Sequence, residues 1–487
     1  MLNLVKTFNF ILACDSYKTN HYLELPDFAK RSYVVCVPRK RSRFSDKIVA
    51  IGHSFISFIL SRVRITEEMI DEAELEIHQQ GYEFNREGWE IIARELDGKI
   101  PLKVWGVEEG RVVDPQTPIL GIMNTDDRFA WLPAYVETWT QGTIWMMSTV
   151  ASICRQARIT VSKYMEMTGA DMTGLDYKVH NFGDRGAAGA NEAAVLAGIA
   201  HAALFSGSDC TRANGYIKKI YNTSKAYTSS IEATEHSVTC ANSDAGERDD
   251  FGGAQMAVNR LYSVVERTKR GIGIPLLSVV IDTYDSRRFV RDYMGTQFKE
   301  AILNSGGKMI FRPDSGDPTV EPSLVAKDVE DTFGASVNAA GYKVLHPQTG
   351  VIQGDGINIE TMESVIQGWV NAGYSMDSLA LGMGHGTTNY GARDDFSFSM
   401  KGVALFDGSR WIRLLKEPIT DMGKKSLTGL VRCREVNGEL QVFDALKNGD
   451  EYNFANESVG WQLYYEDGYQ KYRTTFDEVR VRAQAGI

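Results

Sequence analysis

Between about residues 176 and 390 the chain repeats one pattern: a short apolar strand, a polar loop at its C-terminal end, then a helical segment. The strand ends read Val179-His180-Asn181-Phe182-Gly183-Asp184-Arg185, Ser278-Val279-Val280-Ile281-Asp282, Met309-Ile310-Phe311-Arg312-Pro313-Asp314, Val351-Ile352-Gln353-Gly354-Asp355 and Leu379-Ala380-Leu381-Gly382-Met383-Gly384. The last four recur at roughly the 30 to 40 residues of a βα unit. Repeated units with charged or glycine-rich strand ends predict a β/α barrel whose active face collects those ends. A doubly wound open sheet is the alternative architecture.

Other segments carry local signals. Residues 67–79 and 85–97 read as amphipathic helices, the second opened by Asn85 as N-cap with Glu87 in its first turn and closed by Gly98. A long apolar helical stretch is expected over 131–168, punctuated by Gly142, and a helix apolar nearly all round over 189–207. Near the C-terminus Val436-Asn437-Gly438-Glu439 reads as a hairpin turn in a β-rich or α/β layer.

Hydrophobic residues make up 43% and charged residues 24%, which excludes a disordered or fibrous chain. Acidic residues outnumber basic ones by 63 to 53 for a net charge of −10, so general nucleic-acid binding is not expected. An anionic substrate then needs a local cationic patch, for which Arg39-Lys40-Arg41-Ser42-Arg43, Arg393, Lys401, Lys416, Lys424 and Lys425 are candidates. Six dispersed cysteines without a CxxC pair read as reduced thiols of a cytoplasmic protein. No run of about 18 apolar residues occurs, so no membrane span is expected. The string Ile11-Leu12-Ala13-Cys14 looks like a lipid-attachment box, but Lys6 and Asn9 interrupt the run before it, and residues 8–14 read as a buried strand.

No Walker A loop, GxGxxG motif or short acidic-Thr-Gly phosphoribosyl signature is present. The best phosphate candidate is Gly382-Met383-Gly384-His385-Gly386-Thr387-Thr388, a glycine-rich strand end that opens a short helix or forms a tight turn without ligand. Arg312, Asp314 and Asp355 put one guanidinium and two carboxylates at the barrel mouth, suited to vicinal hydroxyls or to a Mg²⁺-bound polyphosphate. With Asp282 there are three such aspartates on successive units, although each alone is an ordinary N-cap. His236 is a candidate base or phosphate acceptor, or a hydrogen-bonded core histidine.

Six strings occur in order: Asp15-Ser16-Tyr17-Lys18 with His21-Tyr22, Asn181-Phe182-Gly183-x-Arg185-Gly186, Glu235-His236-Ser237, Arg312-Pro313-Asp314-Ser315-Gly316, Val351-Ile352-Gln353-Gly354-Asp355-Gly356, and Arg393-Asp394. Together with the segment Thr475 to Arg480 they resemble the nicotinamide-using branch of the nicotinate/nicotinamide phosphoribosyltransferase family, over essentially the whole chain.

The resemblance implies an irregular β/α barrel over 146–389 and a flanking α/β domain built from 1–145 and 390–487. It also implies a homodimer with active sites at the interface. The implied reaction joins nicotinamide and phosphoribosyl pyrophosphate to give nicotinamide mononucleotide and pyrophosphate, with Mg²⁺ required and ATP hydrolysis coupled. By position, Phe182 and Tyr17 of the partner subunit look like the two faces of a pyridine sandwich. Arg185, Asp209 and Ser278 look like the amide readers. Arg312, Asp314, Gly354, Asp355 and Gly384 resemble ribose-phosphate contacts, with His385 beside them. Arg39, Arg393, Ser399, Lys401 and Lys416 resemble phosphate contacts from the other subunit. His236 resembles a histidine phosphorylated by ATP, and Asp282 and Asp314 are the carboxylates nearest to a Mg²⁺ carried by pyrophosphate. Three departures from the family pattern stand out: Asp184 for Tyr, His385 for Gly and Gly350 for Arg. A nicotinate-using enzyme and a non-catalytic binding protein on the same barrel are the rival readings. Glycoside hydrolysis by paired carboxylates explains neither the basic set nor Phe182.

Overall fold

The computed structural model describes residues 9–188, 192–420, 424–449 and 460–487. Its internal contacts divide the chain into two compact units. One comprises residues 1–152, 215–225 and 391–485, the other residues 153–214, 226–390 and 486–487.

In the first unit Thr66 caps α2 (Glu67–Gln79), which follows α1 (His53–Leu60). The Asn85 side chain accepts from Gly88 N to open α3 (Arg86–Glu95), and Gly98 takes the left-handed conformation after it, as the sequence predicts. Strands β1 (Arg31–Pro38), β2 (Leu102–Gly106) and β3 (Leu120–Asn124) supply the centre of a seven-stranded sheet. Tyr33 to Val37 of β1 are all buried, so this central strand is covered on both faces. The predicted strand over 8–14 is instead a 3₁₀ turn, Phe10–Leu12. The Asn9 side chain accepts from Ile11 N at 3.0 Å and donates to Met69 O at 2.8 Å, capping a turn where an apolar run had signalled only burial.

The boundary between the units falls inside α4 (Glu137–Met167), a helix of 31 residues that a short break at Val136 separates from Leu132–Tyr135. In the second unit β4 (Val179–Asn181) precedes α5 (Glu192–Ala202), whose residues from Ala194 to Ala202 are all buried. The part of the predicted 189–207 helix at 189–191 lies outside the described residues. After α6 (Thr211–Ile220) come β5 (Glu232–Ala233), α7 (His236–Ala241), β6 (Leu276–Val280), β7 (Lys308–Arg312), β8 (Thr349–Gln353), β9 (Leu379–Met383) and the short α8 (His385–Thr388). Strands β4 to β9 form one sheet in the order β4-β9-β8-β7-β6-β5, every pair parallel. Parallel bridges from Asn181 to Ser208 and from Gly207 to Ser229 link its two edges through the segment around residue 208. The sheet is therefore an irregular β/α barrel, with loops at the strand C-termini forming one face.

The first unit resumes with β10 (Phe398–Phe406) and β11 (Trp411–Arg413), then the hairpin β12 (Val431–Val436) and β13 (Glu439–Asp444), then β14 (Gln462–Glu466) and β15 (Tyr469–Gln470). Asn437 and Gly438, both at positive φ, make the two-residue turn read from the sequence. The large sheet has the order β11-β10-β1-β3-β2-β14-β15, so strands from both chain ends share it. All six cysteines are free, and Cys36, Cys154, Cys210 and Cys433 are buried. Among the described residues no helix is long and apolar enough to cross a membrane.

Candidate active site

The C-terminal ends of the barrel strands bring most of the candidates of that unit together. Successive strand side chains alternate faces, so His180 and Phe182 share one side of the chain leaving β4, and their ring centroids lie 4.8 Å apart. Phe182 N donates to Met383 O of β9 at 2.8 Å. Its ring lies so close to Gly382 that a Cβ there would stand 2.1 Å from Phe182 Cε2. A Cβ on Gly354 would stand 3.5 to 3.7 Å from Asp314 Oδ1, Phe182 Cε2 and Arg312 Cδ, so these three side chains converge above one glycine. Glycine is needed at Gly382, where ring and backbone meet directly, whereas the distances at Gly354 are ordinary contacts.

Asp209 follows the bridging segment. Its Oδ1 accepts from His180 Nε2 at 2.8 Å and from the Ser230 hydroxyl, while Asp209 N donates to Asn181 O at 3.0 Å. Burial works to raise its pKa, but the hydrogen bonds from His180 and Ser230 and the Arg312 guanidinium outweigh that and hold the carboxyl below its ordinary value. It is an anion at neutral pH, and half of its side-chain surface remains open.

A second cluster centres on Asp282, just beyond β6. One oxygen accepts from His236 Nε2 at 3.0 Å; the other accepts from Asp314 N at 3.1 Å and from the Ser315 hydroxyl. With Nε2 engaged by Asp282, the other ring nitrogen, Nδ1, stands 3.8 Å from Asp314 Oδ2. Arg312 Nη2 donates to Thr234 O at 2.9 Å, fixing the guanidinium beside the same cluster. Gln353 Nε2 donates to Asp355 O at 3.0 Å, which holds the glycine-flanked loop carrying exposed Asp355.

Ser278 Oγ, Arg312 Nε and Gln353 Oε1 are buried without a hydrogen-bond partner. They stand on three adjacent strands, β6, β7 and β8, and buried polar groups rarely stay unpaired. Gly384 follows β9 with nothing within 4 Å of where a Cβ would point, and exposed His385 opens α8. Arg185 is exposed on the turn after β4, and Asp184 pairs with Arg212 at 3.4 Å. A cavity of 330 Å³ runs from His180 and Ser230 to Lys178, Lys308 and Gly350. His180, Ser230, Thr234 and Gln353 were not among the sequence candidates. For His180 the signal was present, since it stands two residues before Phe182 on a strand.

In the other unit Arg39, Ser399 and Lys401 line one pocket with Lys424, Lys425 and Ser426. Lys401 faces Val35 across the pairing of β10 with β1. Burial pulls its pKa down; Glu137 pulls it back up, while Lys18, Lys416 and Arg39 push further down, as expected within a crowd of like charges. Arg39 is anchored on Ser397 through its O at 3.1 Å and Oγ at 3.0 Å. Lys416 N donates to Ser426 Oγ at 3.0 Å, which brings its segment to that pocket. Arg393 is exposed and paired with its neighbour Asp394 at 2.9 Å. Tyr17 is 54% exposed, its ring 5.6 Å from that of His21.

Residues 177–450 match the model of the nicotinate phosphoribosyltransferase family, and residues 9–104 match that of the nicotinamide phosphoribosyltransferase N-terminal domain. The chain is 32% identical to a nicotinamide phosphoribosyltransferase of Xanthomonas campestris pv. campestris, over 98% of each chain. It is 30% identical to one of Acinetobacter baylyi, over 97% of each. Among solved structures, nicotinate-nucleotide pyrophosphorylase from Pyrococcus furiosus covers 99% of this chain and 95% of its own at a TM-score of 0.58 and 13% identity. Human nicotinic acid phosphoribosyltransferase covers 96% and 92% at 0.55 and 13%. The last two likenesses concern the fold. With more than half of its length in one family model, the chain belongs to the nicotinate phosphoribosyltransferase family and is an enzyme of phosphoribosyl transfer.

Proposed function

We propose that the enzyme transfers the phosphoribosyl group of phosphoribosyl pyrophosphate to nicotinamide, giving nicotinamide mononucleotide and pyrophosphate. The observation that carries this reading is the anionic Asp209 at the rim of a site floored by Phe182 and by the unpaired atoms of Ser278, Arg312 and Gln353. A carboxamide offers N–H donors that Asp209 accepts and an oxygen that the Ser278 hydroxyl or exposed Arg185 can meet. Nicotinate would bring a second carboxylate against Asp209. Phe182 supplies one stacking face for a flat pyridine, and Tyr17 of the partner subunit the other.

In the reaction the ring nitrogen lone pair forms the new bond to the anomeric carbon, and pyrophosphate leaves with the electrons of the broken C–O bond. The state between is oxocarbenium-like, so alignment and charge neutralisation do the work and no covalent nucleophile is required. Arg312, Asp314, Gly354, Asp355, Gly384 and His385 surround the ribose and its phosphate. Arg39, Arg393, Ser399, Lys401 and Lys416, contributed by the other subunit of a homodimer, hold the pyrophosphate. Among the described residues no group of three or more His, Cys, Asp or Glu is arranged to hold a metal. Asp314 would offer an oxygen to a Mg²⁺ carried by the polyphosphate, whose charge the metal would neutralise, since both oxygens of Asp282 are already engaged. His236, oriented by Asp282, accepts a phosphoryl group from ATP on Nδ1 and couples ATP hydrolysis to turnover. A cytoplasmic location belongs to the same proposal. The deciding experiment assays nicotinamide mononucleotide formation with nicotinate as competitor; product from nicotinate at equal efficiency would favour the nicotinate-using enzyme. No product from either base, with phosphoribosyl pyrophosphate bound, would favour the non-catalytic reading.

A further inference from the structure

We infer that the unit built from the two chain ends carries a second anion site, a pocket for a small phosphate-class dianion formed by Arg62, Lys219 and Arg473. These three cations line a cavity of 190 Å³, together with Asn222, Gln470 and Tyr472, and no carboxylate lines it. Arg62 follows α1, Lys219 ends α6, and Arg473 follows β15, so three separate segments aim positive charge at one space.

Other arginines of the molecule are held by carboxylates: Arg86 alone holds Asp71, Glu74 and Glu90, and Arg128 holds Glu95 and Asp126. Among the described residues Arg62, Lys219 and Arg473 make no ion pair, in a chain of net charge −10. Arg62 is held in place, its guanidinium 3.5 Å from the Phe58 ring centre with Nη1 donating to Phe58 O at 3.0 Å and to Ser61 Oγ at 3.1 Å. Burial there lowers its pKa, a cost that an arriving anion relieves.

The carboxylate behind the pocket, Glu109, is fully buried, accepts from Gly52 N at 2.7 Å and from the Ser54 hydroxyl, and pairs with none of the three cations. On the following helix, Phe476–Ala483, Asp477 is paired with Lys225 at 2.6 Å, and Glu478 is engaged by the hydroxyl of the lining Thr474 at 2.8 Å; neither pairs with the three cations. Two guanidiniums suit the forked recognition of tetrahedral oxyanions, and amide and phenol groups add hydrogen-bond donors around them. The volume is below that of pockets for drug-sized ligands, which points to phosphate, pyrophosphate or the phosphate end of a nucleotide.

The test is equilibrium binding of inorganic phosphate, pyrophosphate and a nucleoside 5′-monophosphate to the full-length protein at low salt. A background of Arg39→Ala with Lys401→Ala weakens the other cationic pocket. At least one anion should still bind this background, and Arg62→Ala with Arg473→Ala should weaken that binding by about tenfold or more. Lys219→Glu, a single exposed change, should do the same and guards against misfolding of the double variant. Monophosphate binding alone being weakened by these variants would assign the site to a nucleotide; weakened binding of phosphate or pyrophosphate would assign it to the free anion. Equal binding by the background and by both sets of variants, or none of the three anions bound, would overturn the site. The reading of the barrel stands or falls separately, because Arg62→Ala with Arg473→Ala is expected to leave basal turnover in place.

Discussion

At the residue scale the proposed choice of base rests on the charge of Asp209. Its folded pKa lies below the ordinary 3.8, so the carboxyl stays ionised from pH 8 to pH 5 and protonates only as pH falls through that lower value. The preference for nicotinamide over nicotinate should therefore hold across that window, which competition assays at each pH would check. A preference that fades toward pH 5 would remove Asp209 from the role. Asp209→Ser should reduce the ratio of the two kcat/KM values by at least about tenfold, because the like-charge contact is lost once the base has displaced water. His236 calls for a different measurement. Its Nε2 is tied to Asp282 at 3.0 Å while Nδ1 has only Asp314 Oδ2, at 3.8 Å, near it, so phosphorylation by ATP should fall on Nδ1, detectable by phosphorus NMR of the phosphorylated protein. His236→Ala should keep slow synthesis that no longer responds to ATP, since bond exchange at the anomeric carbon needs no histidine base. Full ATP stimulation in that variant would exclude the phosphohistidine role.

At the element scale two glycines respond oppositely to one added methyl group. Gly382 on β9 lies under Phe182, and Gly382→Ala must displace the ring, raising KM for the base by about tenfold and lowering Tm. Gly142 lies within α4 with nothing within 4 Å of a Cβ, so Gly142→Ala should add about 0.5 to 1 kcal/mol of stability. Thermal melts of the two variants would read both signs. The same strands show what the sequence discloses. Leu276–Val280, Lys308–Arg312, Thr349–Gln353 and Leu379–Met383 were legible because apolar runs of strand length ended in glycine and charge. Glu232–Ala233 has two residues and no pattern, and the link through Ser208 is a pair of single bridges, so how the barrel closes could not be read. Asp209, which stands on that link, was reached only through resemblance. The hub role of Asp282 and the unpaired atoms of Ser278 and Gln353 depend on register between strands far apart in sequence, which no local pattern carries.

At the scale of the whole molecule the two contact units divide the proposed site residues between them. Phe182, Asp209, His236 and Arg312 belong to the barrel unit, whereas Tyr17, Arg39, Lys401 and Arg393 belong to the unit built from both chain ends. The proposal assigns the second set to the partner's active site, and a subunit-mixing experiment tests that assignment directly. Tyr17→Ala and Arg312→Ala should each be nearly inactive alone, because every site of either homodimer carries one lesion. In an isologous mixed dimer both lesions fall in one site and the other site is whole. Random exchange of equal amounts makes half of the dimers mixed, each with one working site of two, so about one quarter of wild-type activity should return. Exchange is verified by differently tagged subunits, and product is then assayed on the mixture and on each parent. Recovery near that fraction supports sites shared between subunits. No recovery despite verified exchange would mean that Tyr17 serves the barrel of its own chain, and the phosphate contacts from the same unit would then have to be reassigned with it.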